Sequence, residues 1–241
     1  MMKSASIRGW LELLRIPNLL TVPGDPLAGW ALATAGAAVG IPWTVCVASV
    51  LFYAAGLLLN DVADVAEDRI ARPNRPIPSA RVSRAAAAWA AVAFAAAGLV
   101  LCFRVSPKTG FAAVELVVMV CLYDLWFKRL PVVGPVAMGF CRGLNVMLGA
   151  AAAPACPTTT AVLVAAGAET LYIAVVTHLA RRETRGGTWW TPARIGTLIG
   201  GLLWIQAAFC IAAGGAGIWI GLTLAALWLP LRALRRRFEM S

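Results

Sequence analysis

The chain has 241 residues, 61% of them hydrophobic and only 13% charged. Soluble globular proteins carry roughly 45–50% apolar and about 25% charged residues. The balance excludes a water-soluble domain, a disordered chain and a disulfide scaffold. The net charge of +10 invites a nucleic-acid reading, but the sequence offers no stacking platform or groove-sized module. The six cysteines lie far apart with no C-x-x-C pair, so they read as small core hydrophobes rather than zinc ligands or disulfides.

A membrane helix needs about 20 mostly apolar residues. Eight segments meet that pattern in chain order: 17–39, 43–64, 83–104, 109–127, 132–153, 158–180, 192–213 and 216–231. No cleavable signal segment, soluble domain or long linker is expected. The prediction is one integral membrane domain over residues 1–241, an all-α polytopic helix bundle. Of the 21 Lys and Arg residues, all but Arg104, Lys108 and Arg142 fall on one side when the segments alternate. Cytoplasmic loops carry the Lys and Arg excess. The expected location is the cell (inner) membrane, multi-pass, with both termini cytoplasmic.

The second segment ends in Asn60-Asp61-Val62-Ala63-Asp64-Val65-Ala66-Glu67-Asp68-Arg69, followed by Arg72-Pro73-Asn74-Arg75-Pro76. Asn60, Asp64 and Asp68 are spaced i, i+4, i+8, which stacks them on one helical face; Asp61 flanks the row. Carboxylates so placed repel unless a cation sits among them. Oxygen ligands select a hard ion, and Mg2+ binds through one or two carboxylates plus substrate phosphates. Arg72 and Arg75 supply forks that match phosphate oxygens. Metal ligands and arginines together describe a diphosphate clamp. At a membrane edge its substrate is a prenyl diphosphate or a nucleotide-activated lipid alcohol. The CDP-alcohol phosphotransferase pattern D-x-x-D-G-x-x-A-R is a near miss, because Asp68 holds the glycine position.

The stretch from Asn60 to Asp68, with Arg72-Pro73-x-Arg75-Pro76-Ile77-Pro78-Ser79, resembles the first aspartate-rich motif of the UbiA superfamily of intramembrane prenyltransferases. Arg15-x-Pro17-Asn18 and Tyr123-Asp124-x-x-x-Lys128-Arg129 extend the resemblance. It implies a helical bundle, usually of nine crossings, around a central cavity. It also implies Mg2+-dependent transfer of a prenyl group to a lipophilic, typically aromatic, acceptor. Asn60, Asp64 and Asp68, with Asp61 beside them, fall on the metal positions, and Lys128 on a basic position near the diphosphate.

The family's second motif, D-x-x-x-D, is altered here. Only Glu183 is a carboxylate at one expected end, and Thr177 and His178 lie near the other. Arg181, Arg182 and Arg185 are expected to bind diphosphate in place of a second metal. Arg142 and Glu169, each central in its segment, are expected to pair and line the cavity, with Asn145 one turn on. Tyr172 matches a family tyrosine and is expected to stabilise a cation by its ring face. Asp25, between Gly24 and Pro26, is expected to break the first helix and reach the acceptor; Asp124 or Asp25 takes the released proton. The expected function is Mg2+-dependent prenyl transfer in the lipid bilayer. The competing reading, resting on the altered second motif, is a non-catalytic prenyl-lipid binding or transport protein that keeps one diphosphate site.

Overall fold

A computed structural model describes residues 7–37, 40–154, 159–184 and 189–238. Every regular element among them is helical. Two short helices, α1 (Ile7–Leu13) and α2 (Ile16–Leu19), precede α3 (Gly24–Ala33). Then come α4 (Trp43–Ala63), α5 (Val65–Ala71), α6 (Arg84–Val105), α7 (Pro107–Leu125), α8 (Val133–Ala151) and α9 (Thr160–Thr184). The chain closes with α10 (Pro192–Ala212), α11 (Ala216–Ala226) and α12 (Trp228–Phe238).

Six stretches among the described residues are long and apolar enough to cross a membrane: α4, α6, α8, most of α9, α10, and Ala216–Leu234 across α11 and α12. At 1.5 Å per residue, the 21 residues of α4 cover the roughly 30 Å hydrocarbon core. The molecule is a multi-pass membrane protein. Two of the eight expected segments differ. The first, 17–39, is broken. Its α3 has only 10 residues, because the chain turns ahead of Gly24 and again at Gly36, where φ is +67°. The fourth is a 19-residue helix, α7, but Lys108, Glu115 and Asp124 dilute its apolar character.

Local chemistry sets the helix starts. Ser83 Oγ accepts from Ala86 N–H at 3.1 Å to cap α6. Ser106 and Thr191 cap α7 and α10 in the same way, each followed by a proline at the first helical position, where no N–H is needed. α8 is the centre of the bundle, packed on α3, α7 and α9, while α4 packs chiefly on α6. Gly139 lies directly against the Thr170 carbonyl of α9, and Gly149 against the Pro26 carbonyl of α3. A side chain at either place would collide with backbone, so small residues permit these close crossings. The lipid-facing surface is hydrophobic: α6 alone exposes Trp89, Val92, Val100 and Phe103.

At one end of the bundle, α1 is tied to the loop before α6. Glu12 accepts from Arg8 at 3.2 Å and from Arg81 at 2.9 Å. The Arg81 hydrogen bond holds the Glu12 carboxyl below its ordinary value.

Candidate functional site

A cavity of about 510 Å³ opens between α4, α5, α7 and α8, a size in the range of small-molecule sites. One face of α4 builds its wall. Ser49, Tyr53, Gly56, Asn60 and Asp64 line it in order, at the three- and four-residue spacing that aligns side chains along a helix. The walls beyond the mouth are apolar, with Phe52, Leu57, Leu116, Val120 and Met138. The mouth is polar: Arg15, Asn60, Asp64, Glu67, Asp68, Arg72 and Arg75.

The acidic row is bent. α4 ends at Ala63, and Asp64 (φ −88°, ψ 3°) is at once its C-cap and the residue before α5. The Asp68 N–H still donates to the Asp64 carbonyl at 2.8 Å, so the two helices run on with one kink. Asn60, Asp64 and Asp68 all remain on the cavity wall, as their spacing requires. Asp61 does not. It turns away and pairs with Arg15 at 3.2 Å and with Arg75 at 3.6 Å. Its place in the metal set is corrected: it is an anchor for two arginines.

Each wall carboxylate has a basic neighbour. Asp68 accepts from Arg75 at 2.7 Å, and Asp64 pairs with Lys128 Nζ at 2.5 Å. Lys128 belongs to a 3-10 turn, Phe127–Arg129, directly after α7. Asn60 donates through Nδ2 to Asp124 Oδ1 at 3.0 Å, which leaves its own carbonyl oxygen for a cation. The described residues hold no compact group of three or more His, Cys, Asp or Glu side chains. An all-protein metal cage is therefore absent among them. Two carboxylates and a carboxamide on a wall lined by arginines fit Mg2+ that shares its coordination with phosphate oxygens.

Deeper in the bundle the expected pairing is exchanged. Arg142 binds Asp25 at 2.8 Å, not Glu169, and also donates to Thr21 at 2.9 Å. Asn145 donates to Asp25 at 2.9 Å and exchanges hydrogen bonds with Ser49. Gln206 holds the other Asp25 oxygen at 2.5 Å. Asp25 is fully buried behind Arg142, so it does not reach an acceptor in the cavity. Arg142 and Asn145 do line the cavity. Glu169 is fully buried beside Asp25 and Gln206. Its two oxygens have no hydrogen-bond partner, and it lies off the cavity wall.

The altered second motif contributes little to the cavity. Arg181 donates to the carbonyls of Lys128 at 2.5 Å and Leu130 at 2.7 Å, fastening the 3-10 turn rather than facing the cavity. Arg182 and His178 are exposed, and Thr177 is half-buried; none of the three lines the cavity. Arg185 and the side chain of Glu183 lie outside the described residues. Tyr172 donates its hydroxyl to the Leu198 carbonyl at 2.7 Å, an α9–α10 tie. The aromatic rings on the cavity wall are those of Phe52, Tyr53 and Tyr123, and the Arg142 guanidinium lies 5.7 Å from the Tyr53 centroid. Tyr53 lies seven residues before Asn60, on the same helical face, and that spacing was the available signal. Arg15 and Glu67 were also missed as cavity residues.

Comparison with known proteins follows this geometry. A family model described as UbiA prenyltransferase family matches residues 26–239. Digeranylgeranylglyceryl phosphate synthase of Ignicoccus hospitalis is 34% identical over 150 residues, covering 62% of this chain and 48% of that protein. The chain thus spans about half the length of that curated relative. The fold is similar to that of a solved digeranylgeranylglyceryl phosphate synthase, with a TM-score of 0.63 and 20% identity over 96% of this chain and 88% of the other. It is equally similar to a UbiA homolog from Archaeoglobus fulgidus bound to GPP and Mg2+, with a TM-score of 0.63 and 17% identity over 95% and 87%.

Proposed function

The chain belongs to the UbiA prenyltransferase family, and from that premise we propose that it transfers a prenyl group from a prenyl diphosphate to a lipophilic acceptor within the membrane. One observation carries the reading. A single cavity joins a mouth of carboxylates, carboxamide and arginines to an apolar interior, which is the shape of an amphiphile with a charged head and a hydrocarbon tail. The excess of Lys and Arg on one side of the bundle supports a cytoplasmic location for that mouth.

Asn60, Asp64 and Asp68 would hold Mg2+. When bound, the ion supplies Lewis-acid neutralisation of the diphosphate oxygens. Arg72 and Arg75 bind the diphosphate, and Lys128 adds a buried positive charge beside Asp64. As the carbon–oxygen bond to the diphosphate breaks, these cations meet the charge that develops on the leaving oxygens. The apolar walls from Leu57 to Met138 keep water from the allylic carbon. A new bond forms from the acceptor to that carbon, and the acceptor's proton passes to Asp124. Asp124 suits this role because it faces the cavity with one oxygen held by Asn60. Asp25 does not, since both its oxygens are engaged. The Ignicoccus relative, by its name, supports a glycerol-lipid hydroxyl as acceptor; an aromatic ring is the alternative.

The test is release of diphosphate from a labelled prenyl diphosphate by purified protein, with and without Mg2+, offered each acceptor class. Metal-dependent release with product formed supports the reading. The second reading, a carrier without turnover, is favoured by the diversion of Arg181 to backbone carbonyls. Metal-dependent binding with no release under any acceptor would establish it instead.

A further inference from the structure

The cavity is closed at its far end by polar groups, not by hydrocarbon. Ser49, Asn145 and Arg142 form that floor. None is more than 7% exposed. Their polar atoms are tied together: Asn145 to Ser49 at 2.7 Å, Asn145 to Asp25 at 2.9 Å, and Arg142 to Asp25 at 2.8 Å. A floor held this way does not yield to an arriving methyl group, because moving any member strands a buried hydrogen-bonding partner.

We propose that this floor is a ruler for the donor: the cavity takes prenyl diphosphates of ten or fifteen carbons and discriminates against twenty. The proposal rests on the donor reading above. Asn60 and Ser49 are eleven residues apart on the same α4 face, which sets the mouth and the floor roughly 16 Å apart at 1.5 Å per residue. An isoprene unit advances the chain by four carbon–carbon bonds of about 1.5 Å, or roughly 5 Å when zigzagged. Three units fill the distance. A fourth would press hydrocarbon onto a buried guanidinium and carboxamide whose partners are already fixed, or would have to fold back into space needed by the acceptor.

The test is Mg2+-dependent binding of ten-, fifteen- and twenty-carbon prenyl diphosphates to the purified full chain. The twenty-carbon donor is expected to bind at least about tenfold more weakly than the fifteen, the scale on which a pocket rejects an oversized hydrocarbon. Cys141→Leu adds bulk to the cavity wall next to Arg142. It should weaken the fifteen-carbon donor more than the ten-carbon donor. The pair Ser49→Ala with Asn145→Leu removes two of the floor's three polar groups, leaving Arg142 held by Asp25, and should raise twenty-carbon binding towards the fifteen-carbon level. If these variants fail to fold, the parent's own length profile decides. Equal binding of fifteen and twenty carbons by the parent, or a Cys141→Leu variant that weakens every length alike, would overturn the ruler while leaving the donor reading intact. Binding of no prenyl diphosphate at any length would overturn the donor reading itself.

Discussion

Two stretches of this molecule look alike in sequence and differ in space. Residues 60–75 and 177–185 each lie at the end of an apolar helix and mix acids, amide or hydroxyl groups and arginines. In the first, the kink at Asp64 keeps Asn60, Asp64 and Asp68 on one wall and brings Arg72 and Arg75 round to face them. In the second, α9 runs straight on to Thr184, so its polar residues spread around the helix. Arg181 is used to hold a neighbouring turn, and His178 and Arg182 face outward. A charged helix end becomes a site only when the backbone turns its side chains towards a common centre.

Substitutions can break or sharpen this contrast. The largest effect is expected at Asp64→Asn and Asp68→Asn, with turnover falling on the order of a hundredfold or more and Mg2+-dependent binding of prenyl diphosphate lost in titrations. Parent-like activity in both variants would remove the acidic wall from the mechanism. Arg75→Ala should come next. A hydrogen bond to a charged group contributes about 1.5–3 kcal/mol, so donor affinity is expected to fall by roughly 10- to 150-fold. Asp61→Asn should act more weakly, by several-fold, because Arg75 keeps its shorter contact with Asp68.

The second stretch should respond in a different currency. Arg181→Ala leaves the carbonyls of Lys128 and Leu130 without their donor. It is expected to lower thermal stability by about 1–3 kcal/mol, with donor affinity changed less than at Arg75. A loss of affinity without a loss of stability would return Arg181 to the diphosphate. The smallest effects, within about twofold, are expected at His178→Ala and Arg182→Ala, because substitutions at exposed positions usually stay within about 0.5 kcal/mol.

The same contrast explains what could be read before the structure was known. Asn60, Asp64 and Asp68 were legible because helical spacing alone brings them together, and the kink did not scatter them. The helical class and most crossings follow from apolar length. Arg142 was legible as an intramembrane charge, but its partner was not. Asp25 and Glu169 are both central acids, and only the crossing of α3 over α8 puts Asp25 within 2.8 Å. Asp61 was misplaced because a flanking position on a helix says nothing of which arginines approach from other elements. Arg181 was misplaced for the same reason: carbonyls left open by a 3-10 turn have no signature in side-chain sequence.

The Arg142–Asp25 pair also bears on how the chain enters the bilayer. An arginine at the centre of a lone helix costs about 2.5–3.5 kcal/mol to insert, and Arg142 is the tenth of the 19 residues of α8. Its counter-ion lies 117 residues earlier, on α3, whose 10 residues reach only about 15 Å. Neither helix is at ease in lipid alone, and the two charges are satisfied only once both α3 and α8 are made and packed together. Arg142→Leu would therefore give a helix that inserts more readily and a protein that is less stable, with Asp25 stranded. Insertion efficiency and final stability are opposed at this one position.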